Sequence, residues 1–187
     1  MKDLNKIPDG LPIPQDDGAC KHLHGKILPS IQLSSTKEGA VDLGALKEST
    51  VLFFYPRTGE PSKPSTPDWD LIPGARGCTP QSCGFRDLYK EFRRLGFQVF
   101  GVSTQDSLYQ REFVSRNHIP FELLSDSEFK LTDALNLPTF DYKGMRLIKR
   151  MAWVIESGRI SRVFYPVFPP NENAAKVLDW LQGCSPI

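Results

Sequence analysis

Apolar residues occur along the chain in unbroken runs and in spaced stripes, and the two forms predict strands alternating with helices. Thr50-Val51-Leu52-Phe53-Phe54-Tyr55 is a continuous apolar and aromatic run that stops at Pro56, the pattern of a central strand buried on both faces. Phe97 to Thr104 is a second such run. Between them Phe85, Leu88, Tyr89, Phe92 and Leu95 recur at three- and four-residue steps among charged residues, which predicts an amphipathic helix ending at Gly96. Thr79 reads as its N-cap and Pro80 as its first helical residue. A second helix is expected over 106–117, with Leu108, Phe113 and Val114 facing inward. Strand, helix and strand in this order imply a right-handed parallel crossover.

The flanking segments extend this pattern. Residues 27–33 and 40–43 read as a short hairpin about 34–39, residues 121–124 as a short strand and 128–136 as a small helix. Arg150 to Ile155, a Glu156-Ser157-Gly158 turn and Arg159 to Tyr165 form a late hairpin, and a helix near 171–182 closes the chain. Residues 1–25 lack periodicity and read as an extended, loosely packed lead-in, leaving 26–187 as one α/β domain with a mixed sheet. The proline- and glycine-rich stretch after Arg57 predicts no regular element, and a loop that long is usually functional. Its part from Thr58 to Pro73 is expected to line a pocket mouth, with Trp69 as an apolar lid.

A chain of 187 residues can build a core without disulfide staples. Its 23 basic and 22 acidic residues leave a formal charge of +1. No Lys/Arg stripe forms, so neither nucleic acid nor an anionic membrane is an expected partner. The N-terminal residues carry prolines and acids where a signal peptide would be apolar, and no later run is long enough for a membrane span, so a cytoplasmic protein is expected. In that reducing compartment a spaced cysteine pair points to catalysis or metal more than to a structural framework.

The pair in question lies in Pro73-Gly-Ala-Arg-Gly-Cys-Thr-Pro-Gln-Ser-Cys-Gly-Phe-Arg-Asp87. On a helix, Cys78 and Cys83 point about 140° apart, with Cα atoms beyond the ~7 Å a disulfide tolerates, so a bridge would require unwinding the first turn. Structural zinc asks for four ligands, and Cys20, His22, His24, His118 and Cys184 are the only further candidates; no metal is expected. Redox chemistry suits the place better. A helix start favours a thiolate and a bound anion, Arg76 adds a cation, and Gly77 lets the backbone approach a small ligand. A second thiol nearby fits oxidation to sulfenic acid followed by resolution, and two buried apolar cysteines are the plain alternative.

At these residues the sequence resembles the peroxiredoxins, in particular their bacterioferritin comigratory protein or peroxiredoxin Q branch. The resemblance runs from about residue 26 to 182, through "FFYP", "GCTPQSCGFRD", "FQVFGVST", "FELLSD" and "RMAWVIESGRI". It implies a thioredoxin-like fold, a central mixed sheet flanked by helices, and a thiol-dependent peroxidase that needs no cofactor. Cys78 would be the peroxidatic cysteine, Cys83 the resolving cysteine on the same helix, and Arg150 the arginine at the late hairpin. Gly77, Pro56 and Thr79 would border the substrate, a hydroperoxide. Thioredoxin or a similar dithiol would recycle the enzyme, acting as a monomer or weak homodimer. The family motif Pro-x-x-x-Thr-x-x-Cys is altered here, because Leu71 and Ala75 stand at its proline and threonine positions. Pro56 matches the proline, displaced by the 58–73 insertion, and Thr58, Thr66 or Thr79 could supply the hydroxyl. A disulfide oxidoreductase, which normally uses Cys-x-x-Cys, and a redox sensor without turnover are the competing readings. Cys184, near the chain end, is a candidate for pairing with another thiol.

Overall fold

Alternation within the first long apolar run builds the whole molecule. Val51, Phe53 and Tyr55 point to one face of a sheet and Leu52 and Phe54 to the other, and all five are buried. A sheet that is apolar on both faces must be covered on both, and the remaining elements do this. The computed structural model describes residues 4, 6–62 and 66–183. Its elements in chain order are β1 (Gln32–Ser35), β2 (Ala40–Asp42), β3 (Thr50–Phe54), α1 (Pro67–Asp70), α2 (Cys78–Asp87), α3 (Tyr89–Arg94), β4 (Gln98–Ser103), α4 (Ser107–Asn117), β5 (Glu122–Ser125), α5 (Lys130–Ala134), β6 (Thr139–Tyr142), β7 (Met145–Ile148), β8 (Met151–Glu156), β9 (Arg159–Phe164) and α6 (Asn173–Gly183).

The main sheet runs β2-β1-β5-β4-β3-β8-β9. β3 pairs in parallel with β4, as does β4 with β5, while β8 runs antiparallel against β3 and β9 against β8. This is the mixed sheet of a thioredoxin-like fold. On one face Phe53 stacks on Phe85 of α2 with ring centres 4.3 Å apart, and Phe92, Phe113, Val177 and Leu181 from α3, α4 and α6 complete that layer. The opposite layer joins Phe54, Trp153 and Phe100 to Leu131 of α5 and to Cys20 and Leu23 of the lead-in.

Several boundaries differ from the expectations. The active-site helix begins at Cys78, not Pro80, and its N-cap is Gly77, not Thr79. Gly77 takes φ +102°, a left-handed value that threonine adopts at a cost, and Pro80 still lies in the first turn, where its missing N–H is not needed. The helix breaks at Leu88 (φ −99°, ψ 9°), so that Phe85 and Phe92, 5.7 Å apart, both reach the same core. Leu108 is 75% exposed, because Asp106 caps α4 and its buried stripe falls on Gln110, Phe113 and Asn117, about 140–200° round the helix from Leu108. Part of the lead-in is docked: Cys20 and Leu23 are buried, and Asp17 is held by Lys149 at 2.7 Å and by the Tyr165 hydroxyl at 2.8 Å. The insertion holds one helical turn, α1, and the β6–β7 hairpin was not expected at all. Trp69, Ala75, Leu147, Phe140 and Tyr142 form a satellite core that binds the two together.

Candidate active site

The thiol of Cys78 sits at the first turn of α2, packed with Val51 and Phe53 of the central strand β3 and with Tyr55, the residue after it. A helix start leaves its first amides without intrahelical partners and carries partial positive charge, and Cys78 is the first residue of α2. Gly77 is needed there for space as well as for its φ, since a Cβ would collide with the ring of Pro170. Cys78 is 3% exposed. Its sulfur lies 3.6 Å from the Ala75 carbonyl, to which the thiol can donate, and accepts from Nη2 of Arg150 at 3.3 Å.

Arg150 stands just before β8 and is itself buried. A buried guanidinium must have its donors matched. Nε donates to the Gly74 carbonyl at 3.2 Å, and Nη2 also reaches the carbonyls of Ala75 and Arg76 at 3.1 and 3.0 Å. Nη1 donates to Oε1 of Gln81. Gln81 in turn donates from Nε2 to Asn173 Oδ1 at 2.9 Å and to the Phe54 carbonyl at 3.3 Å. The guanidinium is thus aimed at the sulfur by the loop before α2 on one side and by a buried amide chain on the other.

Among the described residues no hydroxyl lies within hydrogen-bond reach of the Cys78 sulfur. Thr58 is committed to Gln105, through its amide at 2.8 Å and its hydroxyl at 3.1 Å, and Thr66 pairs with the Tyr142 hydroxyl at 2.5 Å. Thr79 borders the cavity. Ala75 has a packing reason to be alanine, because its methyl is fully buried in the apolar cluster of Trp69 and Leu147. A cavity of about 220 Å³ opens over Cys78, Gly77 and Thr79, walled by Trp69, Tyr109, Tyr142 and Met145, with Arg57, Arg76 and Lys143 also lining it. The insertion does line this mouth, through Thr66 and Trp69. Pro56 is buried beneath, its carbonyl accepting from Ser103 at 3.1 Å, and is not part of the lining.

Cys83 lies half-buried on α2, five residues on from Cys78, so their Cα atoms are separated by ~7.5 Å along the helix axis. Burial pushes its thiol up from the ordinary value; Asp87 adds to the rise, and Arg86 and Arg116 work against it. Among the described residues the remaining candidate ligands form no group that could hold a metal ion. Cys20 is buried with its sulfur 3.8 Å from that of Met151, and His22 Nε2 is 2.8 Å from the Leu135 carbonyl. Cys184 lies outside the described residues. Gln81 and Asn173 were not anticipated as site residues, since an amide inside an amphipathic helix normally reads as solvated. The one available signal is that positions 77, 81 and 84 share a helix face bearing two glycines, which marks a close approach by another segment.

A thiol at a helix start, faced by a buried arginine and open to a small cavity on a thioredoxin-like sheet, defines a redox-active class of protein, and residues 23–178 match the family model described as Redoxin. The chain belongs to that family, on its peroxiredoxin Q and bacterioferritin comigratory protein branch. It is 30% identical over 161 residues to the chloroplastic peroxiredoxin Q of Oryza sativa subsp. japonica, covering 85% of this chain and 66% of the relative. The chain therefore spans just under two thirds of that relative's length. With the chloroplastic peroxiredoxin Q of Gentiana triflora it shares 28% identity over 98% of this chain and 80% of the relative. Among solved structures, peroxidoxin BcpB from Mycobacterium tuberculosis superposes with a TM-score of 0.71 at 25% identity, over 88% of this chain and 99% of that one.

Proposed function

We propose that this chain is a thiol-dependent peroxidase that reduces hydrogen peroxide and organic hydroperoxides at Cys78. The observation that carries the reading is the Arg150 guanidinium 3.3 Å from a thiol at the first turn of α2, at the floor of an open cavity. The Cys78 thiolate attacks the terminal oxygen of the hydroperoxide. As the S–O bond forms and the O–O bond breaks, negative charge grows on the leaving oxygen, where Arg150 and the free amides of the first turn stabilise it. That oxygen takes up a proton and departs as alcohol or water, leaving Cys78 as a sulfenic acid.

Cys83 is the resolving residue in this reading. Its burial keeps it a thiol while α2 is folded, so it becomes nucleophilic and reaches Cys78 only when the first turns unwind. Condensation forms the Cys78–Cys83 disulfide and releases water, and thioredoxin or another external dithiol returns both thiols. A reducing compartment, the cytoplasm being the simplest, supplies that dithiol, and the chain works as a monomer or weak homodimer. A solved Xanthomonas campestris bacterioferritin comigratory protein bears a description of alkyl peroxide reduction, which supports the substrate class by likeness of fold.

Peroxide consumption coupled to a thioredoxin system tests the reading. Turnover is expected in the native chain and its loss in Cys78→Ser, while Cys83→Ser accumulates sulfenic or over-oxidised Cys78 by mass spectrometry. Stoichiometric oxidation of the native chain without turnover would leave a sensor, and a disulfide from Cys78 to Cys20 or Cys184 would overturn the assignment of Cys83.

A further inference from the structure

One face of α2 is clasped by the segment that leads into α6. Gly77 meets the Pro170 ring, a Cβ on Gly84 would stand 3.2 Å from the Asn171 carbonyl oxygen, and between them Gln81 is hydrogen-bonded to Asn173 at 2.9 Å. Positions 77, 81 and 84 are successive on a single helical face. The clasp is anchored in turn: Lys176 donates to the Phe168 carbonyl at 3.0 Å and pairs with Glu172 at 3.1 Å, while Val177 and Leu181 of α6 are buried in the main core. Asn173 is 1% exposed and Gln81 fully buried, so their bond is made away from water, where breaking it strands both amides.

We propose that Asn173 is a positioning residue for the peroxidase reaction: through Gln81 it aims Arg150 at the Cys78 sulfur, and with Pro170 it sets how readily α2 unwinds to bring Cys83 to Cys78. Both effects follow from one bond. Gln81 uses its oxygen on Arg150 and its nitrogen on Asn173 and the Phe54 carbonyl, so fixing the nitrogen fixes which way the oxygen faces. Gln81 also lies between the two cysteines, inside the turn that must open. Opening lets the Cys83 sulfur attack the sulfenic sulfur of Cys78: the S–S bond forms, the S–O bond breaks, and the Cys83 proton leaves with the hydroxide as water. The clasp thereby favours peroxide attack, which needs the folded helix, over resolution, which needs the open one.

This inference rests on the peroxidase reading and separates from it in rapid-mixing experiments with reduced full-length protein and hydrogen peroxide. Loss of one buried hydrogen bond in Asn173→Ala is expected to slow Cys78 oxidation roughly fivefold and to speed disulfide formation by a similar factor, lowering the over-oxidised fraction. Asn173→Asp keeps an acceptor oxygen for Gln81 and is expected to hold both rates near the native values. Pro170→Ala loosens the clasp without touching the amide chain, so it should speed disulfide formation and leave Cys78 oxidation unchanged. If Asn173→Ala does not fold, Asn173→Ser carries the same expectation, its hydroxyl being too short to reach Gln81. A native chain whose Cys78 is oxidised without turnover counts against the peroxidase reading, and one that turns over without a Cys78–Cys83 disulfide overturns the part of the inference that concerns unwinding. Unchanged rates in Asn173→Ala beside a normal native chain, or an Asn173→Asp as impaired as the alanine variant, overturn the inference alone.

Discussion

Burial pushes the thiols of Cys83 and Cys20 in the same direction, up from the ordinary value, and only Cys83 has a part in the proposed chemistry. For Cys83 the rise favours the thiol over the thiolate while α2 is folded. Cys20 takes no part in the site and is pushed up to about 12 by burial first, then by Asp17 and Asp16, with Lys149 opposing. The sign of its effect on stability follows. Below the ordinary thiol value of 9.0 both folded and unfolded chains hold the proton, and Cys20 adds no pH dependence. Between 9.0 and about 12 the unfolded chain releases a proton that the folded chain retains, so stability falls as pH rises through that window. Urea midpoints taken from pH 7 upward should therefore decline above 9 in the native chain and decline less steeply in Cys20→Ala, whatever offset the lost volume adds. Parallel curves for the two proteins would show that Cys20 is not the source.

At the scale of elements, the satellite core of α1 and the β6–β7 hairpin is what gives the cavity a wall. Trp69 is nearly buried, with its ring 4.9 Å from that of Tyr142 and 6.1 Å from that of Phe140. Trp69→Ala is expected to cost about 3 kcal/mol in urea unfolding and to change the ratio of rates for cumene hydroperoxide and hydrogen peroxide. An unchanged ratio would mean that the insertion braces the fold without shaping the mouth. These elements also show what was legible in advance. β3, β4 and β8 were readable because a strand buried on both faces leaves a continuous apolar run. The β6–β7 hairpin went unread because its side chains alternate weakly, although Lys143-Gly144, both at positive φ, is a two-residue turn that could have betrayed it. The helix start at Cys78 was missed by two residues because its cap is a glycine held against Pro170, a contact from a segment more than ninety positions away. Cys78 and Arg150 were legible through their motifs, and the geometry joins them. Asn173 carried no local mark, and Gln81 only its place between two glycines on one helix face, since the burial of both is a property of the assembled molecule.

At the scale of the whole molecule, the site collects β3, the loop before α2, the entry to β8 and the start of α6 around one sulfur. Oxidation therefore acts on more than the two cysteines. A Cys78–Cys83 bridge closes a very short loop, and by chain entropy it is worth about 2 kcal/mol to the folded state. Against that stands the first turn of α2, which must unwind to form it. Thr79, Gln81 and Ser82 are buried there, Gln81 makes three hydrogen bonds to partners that stay behind, and Arg150 loses one of its buried acceptors. Stranding those groups costs about 1–3 kcal/mol each, so the loss exceeds the gain. The disulfide form is expected to unfold at a lower urea concentration than the reduced form, with the native midpoint restored by dithiothreitol. The opening itself should appear as faster amide exchange confined to residues 77–85 and to the segment around 170–173 that clasps them. An oxidised protein as stable as the reduced one, with α2 still protected, would mean that Cys78 had found another partner without unwinding the helix.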